Sequence, residues 1–464
     1  MQHGTRDAPT VKKARDKARE AALEILNRRD ERQVPVDTIL EDVTCNRRLS
    51  KLDRAFMNGL VYGVLRWRGK LDWVIKHFSH VKIGRIDPSV LNILRMGLFQ
   101  ILYLSRVPDA AAVNTSVELT KAAADLRTVK YVNAVLRKAS AAYEDVTFPD
   151  FKTDPVAAIA ASMAFPRWIV QRWVERIGPL ETRRLCEALN IIPPITVRTN
   201  RLKTDRESLV HLLEHEAADV QETPHSPDGV SFFHPKLPIA NLSTYQKGWF
   251  QVQDEAAQLV TVYLDPKPNE TVLDACAGLG GKTGHIAQLM SNQGRLIAMD
   301  RDQQKLSRLR SEMMHLGVSI VTTNHHDLTI PFDKTPSRSF DRILLDAPCS
   351  GLGVLRRNPD AKWVPAKSHL DAFRQRQITF MRTLASQVKT GGILQYVVCS
   401  MEPEETEAVA CAFIESHPNF SVDKPDGSLS PTLSPFIDGN GFFRTYPHTD
   451  NMDGFFSVRF KRMK

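Results

Sequence analysis

The chain has 464 residues, more than a single hydrophobic core usually supports, so we expect two or three domains. Apolar residues make up 42% and charged residues 25% of the chain, which excludes wholesale disorder. Lys and Arg outnumber Asp and Glu by 62 to 53, and the net charge of +9 is compatible with a polyanionic partner such as RNA without requiring one.

The cysteine pattern argues against a zinc site and against structural disulfides, because no CxxC pair and no dense framework occurs. No apolar run approaches the roughly 20 residues of a membrane span. We therefore expect a cytoplasmic monomer without a metal and without membrane contact. The cysteines are Cys45, Cys186, Cys276, Cys349, Cys399 and Cys411.

The first part of the chain, residues 1–147, is predicted to be an all-α bundle. Apolar residues at three-and-four spacing from Val11 to Arg29 predict an amphipathic helix. A further helix start is indicated at Asp87-Pro88, where a capping carboxylate precedes a first-turn proline. No strand pattern interrupts these helices. The stretch DVTFPDFKTDP that follows predicts a linker.

Two further domains are predicted after this linker. Residues 155–245 are expected to form a small α+β linking subdomain with a short strand at residues 195–198. Residues 246–464 alternate short apolar strands (TVLD, RLIAMD, RILLD, ILQYVV) with helices, which predicts an α/β domain with a Rossmann-like parallel sheet. Such sheets bind ligands at the carboxyl ends of their strands, so the turns after these strands are the candidate site.

A glycine-rich turn follows TVLD, and glycines allow a backbone to approach a ligand closely. The next strand ends at Asp300, whose carboxylate can accept hydrogen bonds from ribose hydroxyls, so the pair predicts a nucleoside cofactor. A phosphate-binding P-loop would need Gly at Cys276, and a dinucleotide GxGxxG turn would need Gly at Thr283. Asp327 is a candidate contact for the adenine, although on its own it is more typical of a surface loop acid. The turn comprises Cys276, Ala277, Gly278, Leu279, Gly280, Gly281 and Lys282.

Two cysteines follow two later strands. RILLD ends at Asp346 and leads into Pro348-Cys349, and ILQYVV ends directly before Cys399. If these two strands are neighbours beside the strand that precedes the glycine-rich turn, the two thiols lie close together, because adjacent strands are about 5 Å apart. A single cysteine is more often a buried structural residue. The pair, together with Asp346 and the glycine-rich turn, favours a shared substrate site.

Longer motifs along nearly the whole chain resemble one known family. DRAFMNGLVYGVLR, YVNAVLRK, PRWIVQRW, VRTNRLK, GWFQVQDEAAQLV and FRTYPHTDNMDGFFSVRFKR carry the resemblance. The family is that of the bacterial 16S ribosomal RNA cytosine-5 methyltransferases, in the branch with a helical domain similar to the antitermination factor NusB. Two positions depart from the family pattern: Gly278-Leu279 replaces Ala-Pro, and Val398 replaces Thr.

The resemblance implies transfer of a methyl group from S-adenosyl-L-methionine to carbon 5 of a cytosine. It implies that S-adenosyl-L-methionine, the methyl donor, binds along the turn from Cys276 to Lys282 and at Asp300, Asp327 and Asp346. The expected partner is RNA, namely 16S ribosomal RNA before the small subunit is fully assembled.

The resemblance also implies roles for the two thiols, with Cys399 as the nucleophile and Cys349 as the thiol that helps release the product. Carbon 5 of cytosine is a poor nucleophile, and thiolate attack at carbon 6 converts the ring to an enamine that accepts a methyl group. Asp346 then neutralises charge at ring nitrogen 3 by hydrogen bonding or proton donation. A helix start after Cys399 favours its thiolate, whereas acids nearby, including Glu405, oppose it.

Three alternatives stay open from the sequence. Cys349 is the nucleophile if the enzyme resembles DNA cytosine methyltransferases, which attack from a Pro-Cys at this strand. The substrate cytosine lies in transfer RNA or another RNA if the ribosomal assignment is wrong. The chain is a non-catalytic RNA-binding or antitermination-type factor if the helical bundle carries its function.

Overall fold

A computed structural model describes residues 16–32, 34–332, 340–363, 368–424 and 430–463 of the chain. The described residues form two compact units. One unit holds the residues up to Arg183 together with Lys362 and Trp363, and the other holds the residues from Arg184 onward apart from those two. The finer division into segments 1–147, 155–245 and 246–464 remains a proposal.

The first unit is helical throughout its described residues, as the apolar periodicity predicts. Its apolar helix faces form one core, in which Ile25, Leu60 and Leu94 are fully buried. The side chain of Asp87 accepts hydrogen bonds from two backbone amides of the helix that begins at Pro88, which confirms the predicted cap. The helices are α1 (Lys17–Arg32), α2 (Val36–Asn46), α3 (Lys51–Phe78), α4 (Pro88–Tyr103), α5 (Asp109–Ala123), α6 (Leu126–Ala142), α7 (Pro155–Ser162) and α8 (Arg167–Asn190), whose residues 184–190 belong to the second unit.

Two details of these helices complete the comparison with the sequence pattern. The predicted first helix begins at Val11, but residues 11–15 lie outside the described residues, and α1 is described from Lys17. Helix α8 is kinked at Gly178, whose φ of 80° is left-handed, and Pro179 follows it. The kink is expected because a proline removes a backbone donor and its ring disfavours a helical conformation at the preceding residue.

The second unit contains a small antiparallel sheet that includes the predicted strand at residues 195–198. Its strand order is β2-β3-β1-β4, and every neighbouring pair is antiparallel. Val197, Leu213 and Phe232 belong to its buried core. The elements are β1 (Ile195–Thr199), α9 (Arg206–Glu216), β2 (Ala218–Glu222), β3 (Gly229–Phe233), α10 (Ser243–Gln246) and β4 (Phe250–Val252).

The same unit contains a large Rossmann-like sheet of order β10-β12-β9-β8-β5-β6-β7, with β11 paired to β12. Strands β9, β8, β5, β6 and β7 are parallel, and β12 is antiparallel to its partners. The elements are α11 (Glu255–Leu264), β5 (Thr271–Ala275), α12 (Gly281–Leu289), β6 (Arg295–Asp300), α13 (Gln303–Leu316), β7 (Val321–His325), β8 (Phe340–Asp346), α14 (Ser368–Ala385), β9 (Val388–Val398), α15 (Glu407–Ser416), β10 (Phe420–Val422), β11 (Phe442–Thr445), α16 (Pro447–Asp450) and β12 (Phe455–Arg462).

This topology determines where the candidate site lies. The four predicted strands are β5, β6, β8 and β9, and β8 lies between β5 and β9. In the register of β8 and β9, Asp346 is opposite Val397, so the loops after these strands leave the sheet side by side. A short 3-10 turn, Pro403–Glu405, precedes α15, which begins only at Glu407. The helix start therefore lies farther from Cys399 than the sequence suggests.

Candidate active site

One cavity of about 360 Å³ opens at the carboxyl ends of β5, β6 and β8. Its lining combines residues from both predicted groups, the donor residues and the cysteine pair, which places those groups around one space. Of the predicted donor-turn residues, Ala277, Leu279, Gly280, Gly281 and Lys282 are not part of the lining. The predicted residues that line it are Cys276, Gly278, Asp300, Asp327, Asp346, Cys349 and Cys399.

The glycine-rich turn bends the chain sharply from β5 into α12. Cys276 has a φ of 116°, an unusual value for a residue with a side chain, and Gly278 and Gly280 have φ values of 56° and 90°. A Cβ on Gly280 would lie 2.8 Å from Leu309 Cγ, so glycine is required there by packing as well as by conformation. A Cβ on Gly278 would meet no atom within 4 Å. The backbone at Gly278 is therefore open to a ligand.

Two acids, Asp300 and Asp327, line one part of the cavity. The Gly278 amide donates to Asp300 Oδ2 at 2.9 Å, and the Asp302 amide donates to Asp300 Oδ1 at 2.8 Å. Each carboxylate oxygen has two lone pairs, so Asp300 keeps acceptor capacity for a pair of hydroxyls. Hydrogen bonding from the Thr329 backbone lowers the pKa of Asp327, which keeps this carboxylate ionised.

A buried acid, Asp274, stabilises the glycine-rich turn. Asp274, the end of the predicted TVLD strand, is 1% exposed and accepts a hydrogen bond from Thr283 Oγ1 at 2.6 Å. Burial raises its pKa to about 7. Its other oxygen, Oδ1, has no hydrogen-bond partner. Asp274 therefore links β5 to α12 and carries a proton that is exchanged near neutral pH.

Lys282 and Asp346 form an ion pair beside the cavity. Lys282 Nζ lies 2.5 Å from Asp346 Oδ2, with the two side chains 12% and 32% exposed. Burial disfavours the charged amine, but the carboxylate of Asp346 outweighs burial and raises the pKa of Lys282. Cys399 also interacts electrostatically with this ammonium group. The sequence predicts Lys282 only as part of the donor turn, and its pairing with Asp346 needs the three-dimensional structure.

The two predicted thiols are in contact. Cys349 Sγ lies 3.3 Å from Cys399 Sγ. The hydrogen bond with Cys399, together with burial, raises the pKa of Cys349 well above its usual value. The Gly353 amide donates to the Cys399 carbonyl at 3.0 Å and fixes the backbone of the second cysteine. Both cysteines line the cavity, so the two sulfur atoms lie together at its wall.

Helix α14 contributes cavity residues that the sequence does not predict. Arg376 and Phe380 line the cavity, and the Arg376 guanidinium carbon lies 5.3 Å from the centre of the Phe380 ring. They come from a helix that follows no motif, so no local signal identifies them. Within the described ranges, no group of three or more His, Cys, Asp or Glu side chains is arranged to hold a metal ion. No described helix is long and apolar enough to cross a bilayer.

Three regions of the chain match models of known protein families. The sequence model of the 16S rRNA methyltransferase RsmB/F family matches residues 261–461. Residues 16–141 match the NusB family, and residues 165–238 match the ferredoxin-like domain of RsmF/B-like methyltransferases. A protein of Bacillus subtilis named probable ribosomal RNA small subunit methyltransferase B is 36% identical, over 94% of this chain and 97% of its own. This chain belongs to the RsmB/F family.

Other relatives support the same assignment and confirm the predicted resemblance. Ribosomal RNA small subunit methyltransferase B of Escherichia coli is 32% identical over 89% of this chain and 91% of its own. The crystal structure of the protein PH0851 has a TM-score of 0.79 and 25% identity, and it covers 97% of this chain and 99% of its own. The predicted fold class, with a NusB-like helical part, a small α+β part and a Rossmann-like methyltransferase part, is likewise confirmed.

Proposed function

We propose that this protein transfers a methyl group from S-adenosyl-L-methionine to carbon 5 of a cytosine in small-subunit ribosomal RNA, with Cys399 as covalent nucleophile. Family membership supports methyl transfer, and the names of the B. subtilis and E. coli relatives support ribosomal RNA as substrate. The observation that carries the covalent step is the 3.3 Å separation of two thiols beside the donor cavity. A methyltransferase without a covalent step has no need for such a pair.

The cavity fits the donor in shape and chemistry. The open backbone at Gly278 and the free acceptor capacity of Asp300 suit a ribose, and Asp327 and Arg376 lie on the same lining. When bound, the donor supplies an electrophilic methyl group on a sulfonium centre. The departure of Gly278-Leu279 from the family pattern leaves these contacts in place, since Leu279 is 54% exposed and is not part of the lining.

The first half of the reaction, attack on the ring, is assigned to Cys399, Lys282 and Asp346. The Cys399 thiolate bonds to carbon 6, and the ring electrons move toward nitrogen 3, where negative charge develops. The Lys282 ammonium, which pairs with Asp346, also lies near Cys399. In this proposal Asp346, which lines the cavity and pairs with the Lys282 ammonium, passes a proton from Lys282 to nitrogen 3.

Cys349 accounts for the second half. Once carbon 5 carries the methyl group, its proton must leave, the carbon 5–carbon 6 double bond re-forms, and the bond from Cys399 sulfur to carbon 6 breaks. In the free enzyme the hydrogen bond with Cys399 raises the pKa of Cys349. While Cys399 sulfur is bonded to carbon, that contribution is removed, so Cys349 loses its own proton to solvent more readily, and its thiolate then accepts the proton from carbon 5. The two thiols therefore act in sequence.

The substrate cytosine must expose both faces of its ring to these groups. We infer that it is unpaired or flipped out of its helix, in RNA that is not yet packed into a complete subunit. The NusB-like helical part binds the surrounding backbone in this proposal, and the protein acts as a cytoplasmic monomer.

Substitution of the two cysteines tests the proposal. We expect Cys399→Ala to abolish methyl transfer to RNA from radiolabelled donor. We expect Cys349→Ala to leave a slow enzyme that accumulates a denaturant-resistant protein–RNA adduct. Cys411→Ala, at an exposed cysteine, is the matched control and should behave as wild type. Loss of activity only in Cys349→Ala, with an adduct in Cys399→Ala, would reverse the two roles.

A further inference from the structure

Glu405 is a fully buried acid close to the two thiols. It ends the 3-10 turn Pro403–Glu405 and is 0% exposed. A buried carboxylate is costly unless hydrogen bonds compensate for lost hydration, so its partners indicate its purpose. Oε1 accepts from the Ser350 amide at 2.8 Å and from Gln377 Nε2 at 3.3 Å. Oε2 accepts from Ser350 Oγ at 2.5 Å and from Ser400 Oγ at 2.6 Å.

These partners are the residues next to the cysteines. Ser350 follows Cys349 directly, and Ser400 follows Cys399 directly. The two serine oxygens lie 3.3 Å apart, which equals the separation of the two sulfur atoms. One carboxylate therefore joins the loop after β8 to the loop after β9 at the position adjacent to each thiol.

The backbone around Glu405 is fixed as well. Tyr396 Oη, from within β9, donates to the Glu405 carbonyl at 2.6 Å. Gln377 Nε2, from α14, also donates to the Pro348 carbonyl at 3.0 Å, so it holds the other side of Cys349. Glu405 is thus held by the sheet through its backbone carbonyl and by α14 through its carboxylate. Glu405 does not line the cavity and is not placed to touch a substrate.

We propose that Glu405 is a positioning residue that sets the separation of the Cys349 and Cys399 sulfur atoms through Ser350 and Ser400. For catalysis this inference rests on the proposed function, since two thiols must then reach one cytosine ring in sequence. Misplacement of a reacting group by about 1 Å can lower a rate by about 100-fold. Through its hydrogen bonds to both loops, Glu405 fixes the distance between the Cys349 and Cys399 sulfur atoms.

Two substitutions of equal length separate hydrogen bonding from packing. Glu405→Gln keeps polar atoms that the serine hydroxyls can bond by rotating. Glu405→Met keeps the length and fills the space but removes every acceptor. We expect kcat to stay within about tenfold of wild type in Glu405→Gln and to fall by about 100-fold in Glu405→Met, with the donor Kd unchanged in both. Glu415→Met, at an exposed acid of α15, is the control and should match wild type.

The sulfur separation can be measured without any methyl transfer. Phenylarsine oxide condenses with two neighbouring thiols, forming two arsenic–sulfur bonds and releasing water. Mass spectrometry of the digested protein should show Cys349 and Cys399 bridged in wild type and in Glu405→Gln. We expect bridging at least about tenfold slower in Glu405→Met, in step with its loss of kcat.

The bridging rate and kcat test different claims. Bridging at the wild-type rate in Glu405→Met, or wild-type kcat in that variant, would overturn the role of Glu405. A wild-type protein that bridges normally but methylates no RNA would overturn the proposed function. The slow bridging expected of Glu405→Met would then still support the positioning of the thiols.

Discussion

Cys349 Sγ and Cys399 Sγ lie 3.3 Å apart although 50 residues separate the two cysteines in the chain. The parallel pairing of β8 with β9 produces this contact, because Asp346 and Val397 are opposite each other in the register. Each cysteine then follows its strand into a loop on the same edge of the sheet. The contact depends on topology, and the predictions below test the groups placed around it.

The first prediction concerns the donor side of the cavity. Asp300→Ala removes both acceptor oxygens from the cavity and leaves the Gly278 amide without its partner. Hydrogen bonds to charged groups contribute roughly 1.5–3 kcal/mol, so we expect the Kd for S-adenosylmethionine to rise by about 10- to 100-fold. Isothermal titration calorimetry measures this change. Asp341→Ala, near the opposite end of strand β8, is the control, and equal affinities in the two variants would contradict the donor assignment.

The second prediction concerns the ion pair between Lys282 and Asp346. Lys282→Met removes the ammonium group that faces Asp346 and Cys399 while keeping the side chain's length. Removing one preorganised electrostatic partner costs about 100-fold or more in kcat, and we expect a loss of that size with little change in donor Kd. Lys267→Met is the control: it removes an ion pair with Asp265 at the protein surface and should change neither kcat nor the donor Kd. A weaker donor Kd with unchanged kcat would instead show that Lys282 serves the donor.

The third prediction is a pH dependence of stability from Asp274. Burial raises its pKa to about 7 in the folded protein, above the value of about 3.9 for an unfolded chain. The folded state therefore holds a proton that the unfolded state has released between these two pH values. The contribution of Asp274 to the free energy of unfolding is largest below about pH 4 and is lost as pH rises to about 7, by roughly 4 kcal/mol.

Asp274→Asn provides the comparison, because the amide oxygen can still accept the hydrogen bond from Thr283. Chemical denaturation at pH 5, 6, 7 and 8 should show the wild type losing stability relative to this variant up to about pH 7. Parallel pH profiles of the two proteins would show that Asp274 is already ionised at pH 5.

The fourth prediction concerns the backbone that carries Cys399. A Cβ on Gly353 would lie 1.9 Å from the Gly454 carbonyl oxygen and 3.0 Å from the Cys399 carbonyl oxygen. Because backbone atoms cannot move aside easily, Gly353→Ala should destabilise the protein by about 1–3 kcal/mol and lower kcat. Gly439→Ala, where a Cβ meets no atom within 4 Å, should change neither the thermal midpoint nor kcat. Equal stability of the two variants would contradict this close packing.

The sequence predicts the fold and the residues of the candidate site because both depend on local patterns. Apolar runs identify β5, β6, β8 and β9, and the residues after them, including Asp300, Cys349 and Cys399, line the cavity as expected. Strand order then brings the thiols together.

Other features depend on side-chain orientation between distant segments, which no local pattern encodes. The sequence treats Glu405 only as a charge opposing the Cys399 thiolate, whereas its side chain bonds Ser350, 55 residues earlier. Arg376 reaches the cavity from helix α14. The Lys282–Asp346 pair spans 64 residues.

The most direct test of the central claim is to identify the sulfur that bonds to the substrate. RNA containing 5-fluorocytidine should trap the wild-type protein after methyl transfer, because fluorine leaves no proton on carbon 5 to remove and the bond to carbon 6 cannot break. Mass spectrometry of the digested adduct should show a methylated fluoropyrimidine nucleotide on the peptide that contains Cys399. A nucleotide on the peptide of Cys349, or turnover without any adduct, would contradict the proposed mechanism.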